Sequence, residues 1–166
     1  FSKAAWLNLR PEYNPFKYNS FPANAARQSW LLTDTLQKQL LALVGDPRLA
    51  RLPPILSFQS LTDATVSTPA LVSGLYRQLP ANGSELVIFD LNRERDFEGL
   101  LDPASVTSLA SLLPPAPRNY TTRILSNEGT GSTTLEEVST PALSPDSSRR
   151  PLGLAYPPGV FSLSHV

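Results

Sequence analysis

The stretch that most constrains the fold is four residues long. Leu86-Val87-Ile88-Phe89 is an unbroken apolar run, entered from the turn residues Asn82-Gly83-Ser84 and closed by Asp90. A strand with one wet face alternates apolar and polar residues, so a continuous run predicts a strand covered on both faces. A second such strand is predicted over 55–60, after Pro53-Pro54. Between the two, Thr68 can cap a helix with Pro69 at its first position. Leu71, Val72, Leu75, Tyr76 and Leu79 then recur at helical spacing. Two buried strands joined by one helix form a βαβ unit, parallel and right-handed by default. The expected class is α/β.

The flanking segments are less regular. Residues 1–21 carry Trp6, Tyr13, Phe16, Tyr18 and Phe21 with no helical or strand period, and rings at this density usually pack over something apolar. Residues 22–44 predict a helix with Leu32, Leu36, Leu40 and Leu43 on its apolar face, a weak point near Thr33, and a stop at Gly45-Asp46-Pro47. A short helix is expected from Pro103 to Leu113, capped by Asp102. Residues 120–125 and 133–138 read as a hairpin around Asn127-Glu128-Gly129-Thr130-Gly131. Residues 141–158, rich in Pro, Ser and Arg, read as loop, and a last short strand is expected over 160–163. No internal repeat is visible.

Composition excludes several function classes. Fourteen basic residues balance fourteen acidic ones, which argues against non-specific binding to nucleic acid or anionic membranes through a basic face. Cysteine is absent and there is one histidine, so a disulfide framework, a thiol nucleophile and a zinc–thiolate site are ruled out, and neither metal nor cofactor is expected. No apolar run approaches the roughly 18–20 residues of a membrane-spanning helix. Trp6-Leu7-Asn8-Leu9-Arg10 does not read as a signal peptide, and the compartment stays open. The chain starts at Phe1, contains no Met and ends inside an apolar stretch. The expectation is a processed product, an excised fragment or a partial reading frame.

Two residues stand out for their chemistry. Asp63 follows the first strand, and loops after parallel strands are where open α/β sheets carry their sites. The plainer reading is a loop aspartate that binds its own backbone. His165, the single histidine, is the natural general base, because imidazole titrates near neutral pH; the plainer reading is a surface residue near a chain end. Together they suit the acid and base of a Ser–His–Asp set, in which the carboxylate fixes the imidazole tautomer and stabilises the imidazolium. Asp90, at the end of the second strand, is the rival acid.

The stretch Pro54-Ile55-Leu56-Ser57-Phe58-Gln59-Ser60-Leu61-Thr62-Asp63-Ala64-Thr65-Val66-Ser67 resembles the acid-bearing strand and loop of α/β-hydrolases. Ser162-Leu163-Ser164-His165-Val166 resembles the loop that presents their catalytic histidine. The segment from Glu12 to Pro22 is similar to the cap region of serine hydrolases of the monoglyceride-lipase and serine-aminopeptidase-like group. The resemblance implies a partial α/β-hydrolase fold, the C-terminal portion of such an enzyme. It implies a lid or cap region over 1–52, a core strand–helix–strand unit over 53–92, an insertion over 93–158 and a catalytic-His loop over 159–166. Asp63 would be the acid and His165 the base. The substrate would be a small ester or acyl compound.

Two departures from the family pattern matter. No Gly-x-Ser-x-Gly occurs, and Gly129-Thr130-Gly131-Ser132-Thr133 has the wrong glycine spacing and sits in the expected hairpin. The nucleophile is therefore expected upstream of Phe1, in the missing N-terminal half. The histidine also comes about 70 residues after the second strand, which the insertion would explain. Two other readings stay open: a non-catalytic hydrolase-like module that binds through 93–158, and an unrelated α/β domain in which Asp63 and His165 never meet.

Overall fold

In the computed structural model of the chain, the described residues are 23–63, 66–93, 109–129 and 131–160. The chain divides into two compact units, Phe1–Ala42 and Leu43–Val166.

The described part of the first unit belongs to one helix, α1 (Ala23–Leu43). It is continuous through Thr33, whose hydroxyl donates to the carbonyls of Ser29 and Trp30 and leaves the helix unbroken. The expected apolar face is corrected. Leu32 and Leu36 are exposed, whereas Leu31, Asp34, Gln37, Leu40 and Leu43 form the half-buried line. Leucines are frequent enough in this helix that spacing alone selects more than one face.

The second unit is built on a five-stranded mixed sheet in the order β1 (Leu56–Ser60), β2 (Glu85–Phe89), β3 (Thr121–Asn127), β4 (Thr134–Thr140), β5 (Ser148–Ala155). β1 pairs with β2 and β2 with β3 in parallel; β3–β4 and β4–β5 are antiparallel. The expected hairpin forms, and it is not set apart from the sheet, because β3 lies directly beside β2. The expectation of loop over 141–158 is corrected by β5. Its Pro151 lacks an N–H, which an edge strand tolerates. The expected helix before Leu113 is seen as α3 (Leu109–Leu112), its earlier residues lying outside the described ones.

The crossover from β1 to β2 runs through α2 (Thr68–Gly74) and a 3-10 turn (Tyr76–Gln78). Its cap is Ser67 rather than Thr68: the Ser67 hydroxyl accepts from Ala70 N, and Pro69 keeps its early position. One face of the sheet presents Leu86, Ile88 and Ile124 to this crossover. There Val72, Tyr76, Leu79, Leu112 and Tyr120 close a core around Leu86 and Ile88, both wholly buried. Tyr76 and Tyr120 meet as tilted rings, centroids 4.9 Å apart. Full burial of an Ile or Leu side chain contributes about 1.5–3 kcal/mol.

The opposite face carries Phe58, Val87, Arg123 and Ser139 in one row of the register. Glu85, Arg123, Glu137 and Arg150 form a chain of ion pairs from β2 to β5. The expectation of a buried first strand is corrected: Leu56 and Phe58 are 58% and 64% exposed, because β1 is the edge of the described sheet and one of its faces is uncovered. Ile55 O and Leu61 N bond to β2. In a parallel pair the N–H and C=O groups of Leu56 and Phe58 therefore point the other way, where no described strand pairs.

Candidate functional site

Because β1, β2 and β3 run parallel, their carboxyl ends lie along one edge of the sheet. Asp63 is three residues past β1, and Asp90 to Asn92 follow β2 directly. Asn127 ends β3.

The loop after β1 is held from inside. Ser60 O accepts from the Thr68 hydroxyl at 2.8 Å and from Asp63 N at 3.3 Å. The buried Gln59 amide donates to Val66 O at 3.0 Å. Asp63 is half-buried, and its Oδ1 accepts from Val66 N at 2.9 Å. A carboxylate bonded to the backbone three residues ahead is fixed in direction, so the local bond and an orienting role are compatible.

Asp90 is in a different position. It is 4% exposed, and both carboxylate oxygens are taken. Leu91 N donates to Oδ1 at 2.8 Å, and the Arg93 guanidinium reaches both oxygens at 3.2 Å. The Asp90 carbonyl accepts from the Tyr156 hydroxyl at 2.6 Å. Burial pushes the Tyr156 phenol up to about 12, with the Asp90 charge adding to the shift and Arg93 opposing it. Asp90 is thus built into the frame that ties the 156 region to the end of β2.

Sequence reasoning missed the asparagines. Asn92 Nδ2 donates to Val160 O at 2.8 Å, and Asn92 Oδ1 accepts from Asn127 Nδ2 at 3.1 Å. Asn127 Oδ1 accepts from Arg93 N, and its Nδ2 also donates to Ser132 O. Gly131, in the left-handed region at φ +83°, donates its N–H to Arg93 O. Both asparagines are buried, and every contact named here is to a partner distant in sequence or across a turn. A lone Asn after a strand gives no periodic signal, and its partner lies 68 residues away.

The structure therefore brings the Asp63 loop and the Val160 anchor to the carboxyl ends of the parallel strands. His165, the other predicted site residue, lies outside the described residues. Among the described residues no group of three or more His, Cys, Asp or Glu side chains could hold a metal ion, and no helix is long and apolar enough to cross a membrane. No family model, no curated protein and no solved structure matches this chain.

Proposed function

We propose that the chain is the C-terminal part of a serine hydrolase with an α/β-hydrolase fold, an esterase or lipase acting on a small ester or acyl substrate. One observation carries the reading. The Asp63 loop leaves the carboxyl end of β1, and Asn92 holds Val160 at the carboxyl end of β2. His165 follows Val160 by five residues, and five residues span at most about 17 Å. The bare edge of β1, with Leu56 and Phe58 exposed, supports a sheet that continues upstream of this chain. In this reading 1–52 is the lid, 53–92 the core unit, 93–158 an insertion whose hairpin extends the sheet, and 159–166 the catalytic-His loop.

The chemistry is acyl transfer. A serine outside this chain attacks the acyl carbon as His165 takes its proton. His165 then protonates the leaving alcohol, and an acyl-enzyme remains. Water, deprotonated by the same ring, releases the acid. Asp63, held by Val66 N, keeps the imidazole in the tautomer that can accept the serine proton. Backbone N–H groups upstream would supply the oxyanion hole.

The test is labelling of the protein extended upstream of Phe1 with a fluorophosphonate probe, alongside ester hydrolysis. The expected result is one labelled serine upstream and loss of turnover in His165→Ala. Unchanged turnover in His165→Ala removes that residue from the mechanism. Absence of labelling favours the second reading, a non-catalytic module acting through 93–158. That reading draws on β5, a long and mostly exposed edge strand.

A further inference from the structure

At the opposite end of the sheet, the entry to β1 is tied to the turn before β2 by one side-chain amide and one hydroxyl. Asn82 Nδ2 donates to Leu52 O at 3.0 Å and to Pro53 O at 3.3 Å. Asn82 Oδ1 accepts from Ser84 N at 3.2 Å and from the Ser84 hydroxyl at 2.6 Å. The same hydroxyl, on a wholly buried residue, accepts from Ile55 N at 3.0 Å. Leu52 and Asn82 are 30 residues apart, so these bonds clasp the start of β1 to the start of β2. Asn82 is also the only asparagine in the chain that is followed by glycine. Gly83 is exposed, sits in the left-handed region at φ +85°, and its N–H meets no backbone carbonyl among the described residues.

The backbone nitrogen after an asparagine can attack the side-chain amide carbon, and a glycine there puts no side chain in the way. The bond from Gly83 N to Asn82 Cγ forms, the Cγ–Nδ2 bond breaks, and the Gly83 proton leaves with the amide nitrogen as ammonia. Water then opens the five-membered imide. Opening at Cγ gives aspartate; opening at the Asn82 carbonyl carbon gives isoaspartate, whose backbone is one carbon longer. The net reaction takes up one water and releases one ammonia. In the fold the attacking nitrogen is accessible, whereas the amide it must reach is held by four bonds. A carboxylate at position 82 has no hydrogen to give to Leu52 O and Pro53 O, and it sets a charge against both. We propose that Asn82 is a deamidation site gated by its own clasp. The site is closed while Leu52, Pro53 and Ser84 hold the amide, and it opens when the start of β1 frays. The change is one-way, because the product cannot rebuild the bonds to Leu52 and Pro53, and β1, already an edge strand, is left loose at its start. The site is independent of the hydrolase reading.

The experiment is ageing of the 166-residue chain in mildly alkaline buffer over a series of urea concentrations, from none to above the unfolding midpoint. Conversion at each asparagine is read by peptide mapping and mass spectrometry. A peptide of residues 79–87, which lacks Leu52 and Pro53, gives the reference rate in each buffer. A reaction confined to the open form proceeds at the open fraction times the unfolded rate. Conversion at Asn82, relative to the peptide, is therefore expected to be at least about tenfold slower without urea than above the midpoint. In the unfolded chain Asn82 is expected to convert ahead of Asn92, Asn119 and Asn127, to aspartate and isoaspartate together. Asn82→Asp, which carries one of the two products, is expected to lower the urea midpoint and to speed amide exchange at Ile55. Conversion in the folded chain as fast as in the peptide would overturn the gate. Absence of conversion in the unfolded chain would overturn the site, and an unchanged midpoint in Asn82→Asp would overturn the one-way release.

Discussion

Asn92 donates its side-chain amide to the carbonyl of Val160 at 2.8 Å, closing a 68-residue excursion at the end of β2. Within that excursion run α3 and strands β3 to β5, so one buried side chain fixes where the chain returns. The same Asn92 accepts from Asn127, and Asn127 in turn holds Arg93 N and the hairpin carbonyl of Ser132.

Asn92→Ala is therefore expected to lose about 2–4 kcal/mol, since it removes the bonds to Asn127 and to Val160 O and leaves both short of a partner away from bulk water. Urea unfolding of the variant checks this. Asn92→Asp keeps an acceptor for Asn127 but sets a buried carboxylate against Val160 O, and is expected to cost at least as much as Asn92→Ala.

Asp63→Asn keeps an oxygen for Val66 N, so its cost in stability is expected to stay below about 1 kcal/mol. In the upstream-extended protein the same change is expected to lower ester turnover by about three to four orders of magnitude, because the imidazole is then held in the wrong tautomer. Stability and turnover measured on the same variant separate the local bond from the orienting role.

Tyr156 titrates upward, to about 12, chiefly through burial. The neutral phenol is favoured in the folded state, so the folded chain keeps its proton where the unfolded chain has lost it. The linked stability is present in full below about pH 10 and falls as pH rises from there towards 12, by about 2–3 kcal/mol for a shift of this size. Tyr76 and Tyr120 shift in the same direction for the same first cause and steepen the loss. Tyr156→Phe is expected to cost about 1–2 kcal/mol at neutral pH, from the lost bond to Asp90 O, and to flatten this alkaline slope. Unfolding curves taken on both chains across that pH window decide it.

The β1 edge gives a prediction about association. Phe58 is exposed, stacks on Phe89 with centroids 6.4 Å apart, and flanks backbone groups that no described strand takes up. The 166-residue chain is expected to self-associate with rising concentration, and Phe58→Lys to suppress this at little cost in stability. Sedimentation velocity on the two chains is the check.

What could be read in the sequence follows from how local each feature is. The β1–α2–β2 unit was legible because an unbroken apolar run, a capped helix with Pro69 and a turn at 82–84 are all short-range signals. The hairpin was legible for the same reason. That β3 docks against β2 was not, since pairing between strands some 30 residues apart leaves no local mark. β5 was hidden because Ser148 to Ala155 contains Pro151 and Gly153, which signal loop unless the strand is at an edge. The cap at Ser67 was displaced by one residue because the Thr68 hydroxyl is already engaged by Ser60 O. Asp63 was found by its position after a strand. Its bond to Val66 N is the plainer of the two readings of the residue, and the orienting role belongs to the proposal. Asn92 and Asn127 escaped notice because a buried polar network is defined by its tertiary partners.

The central claim is that Asp63 orients His165. His165 is the only histidine in the chain, so its imidazole resonances need no assignment. The most direct measurement is the proton and nitrogen spectrum of that ring in the 166-residue chain and in Asp63→Asn. The account predicts a downfield Nδ1–H resonance, bonded to the carboxylate, that disappears in the variant, with a change in tautomer. A ring whose resonances are the same in both chains would contradict it.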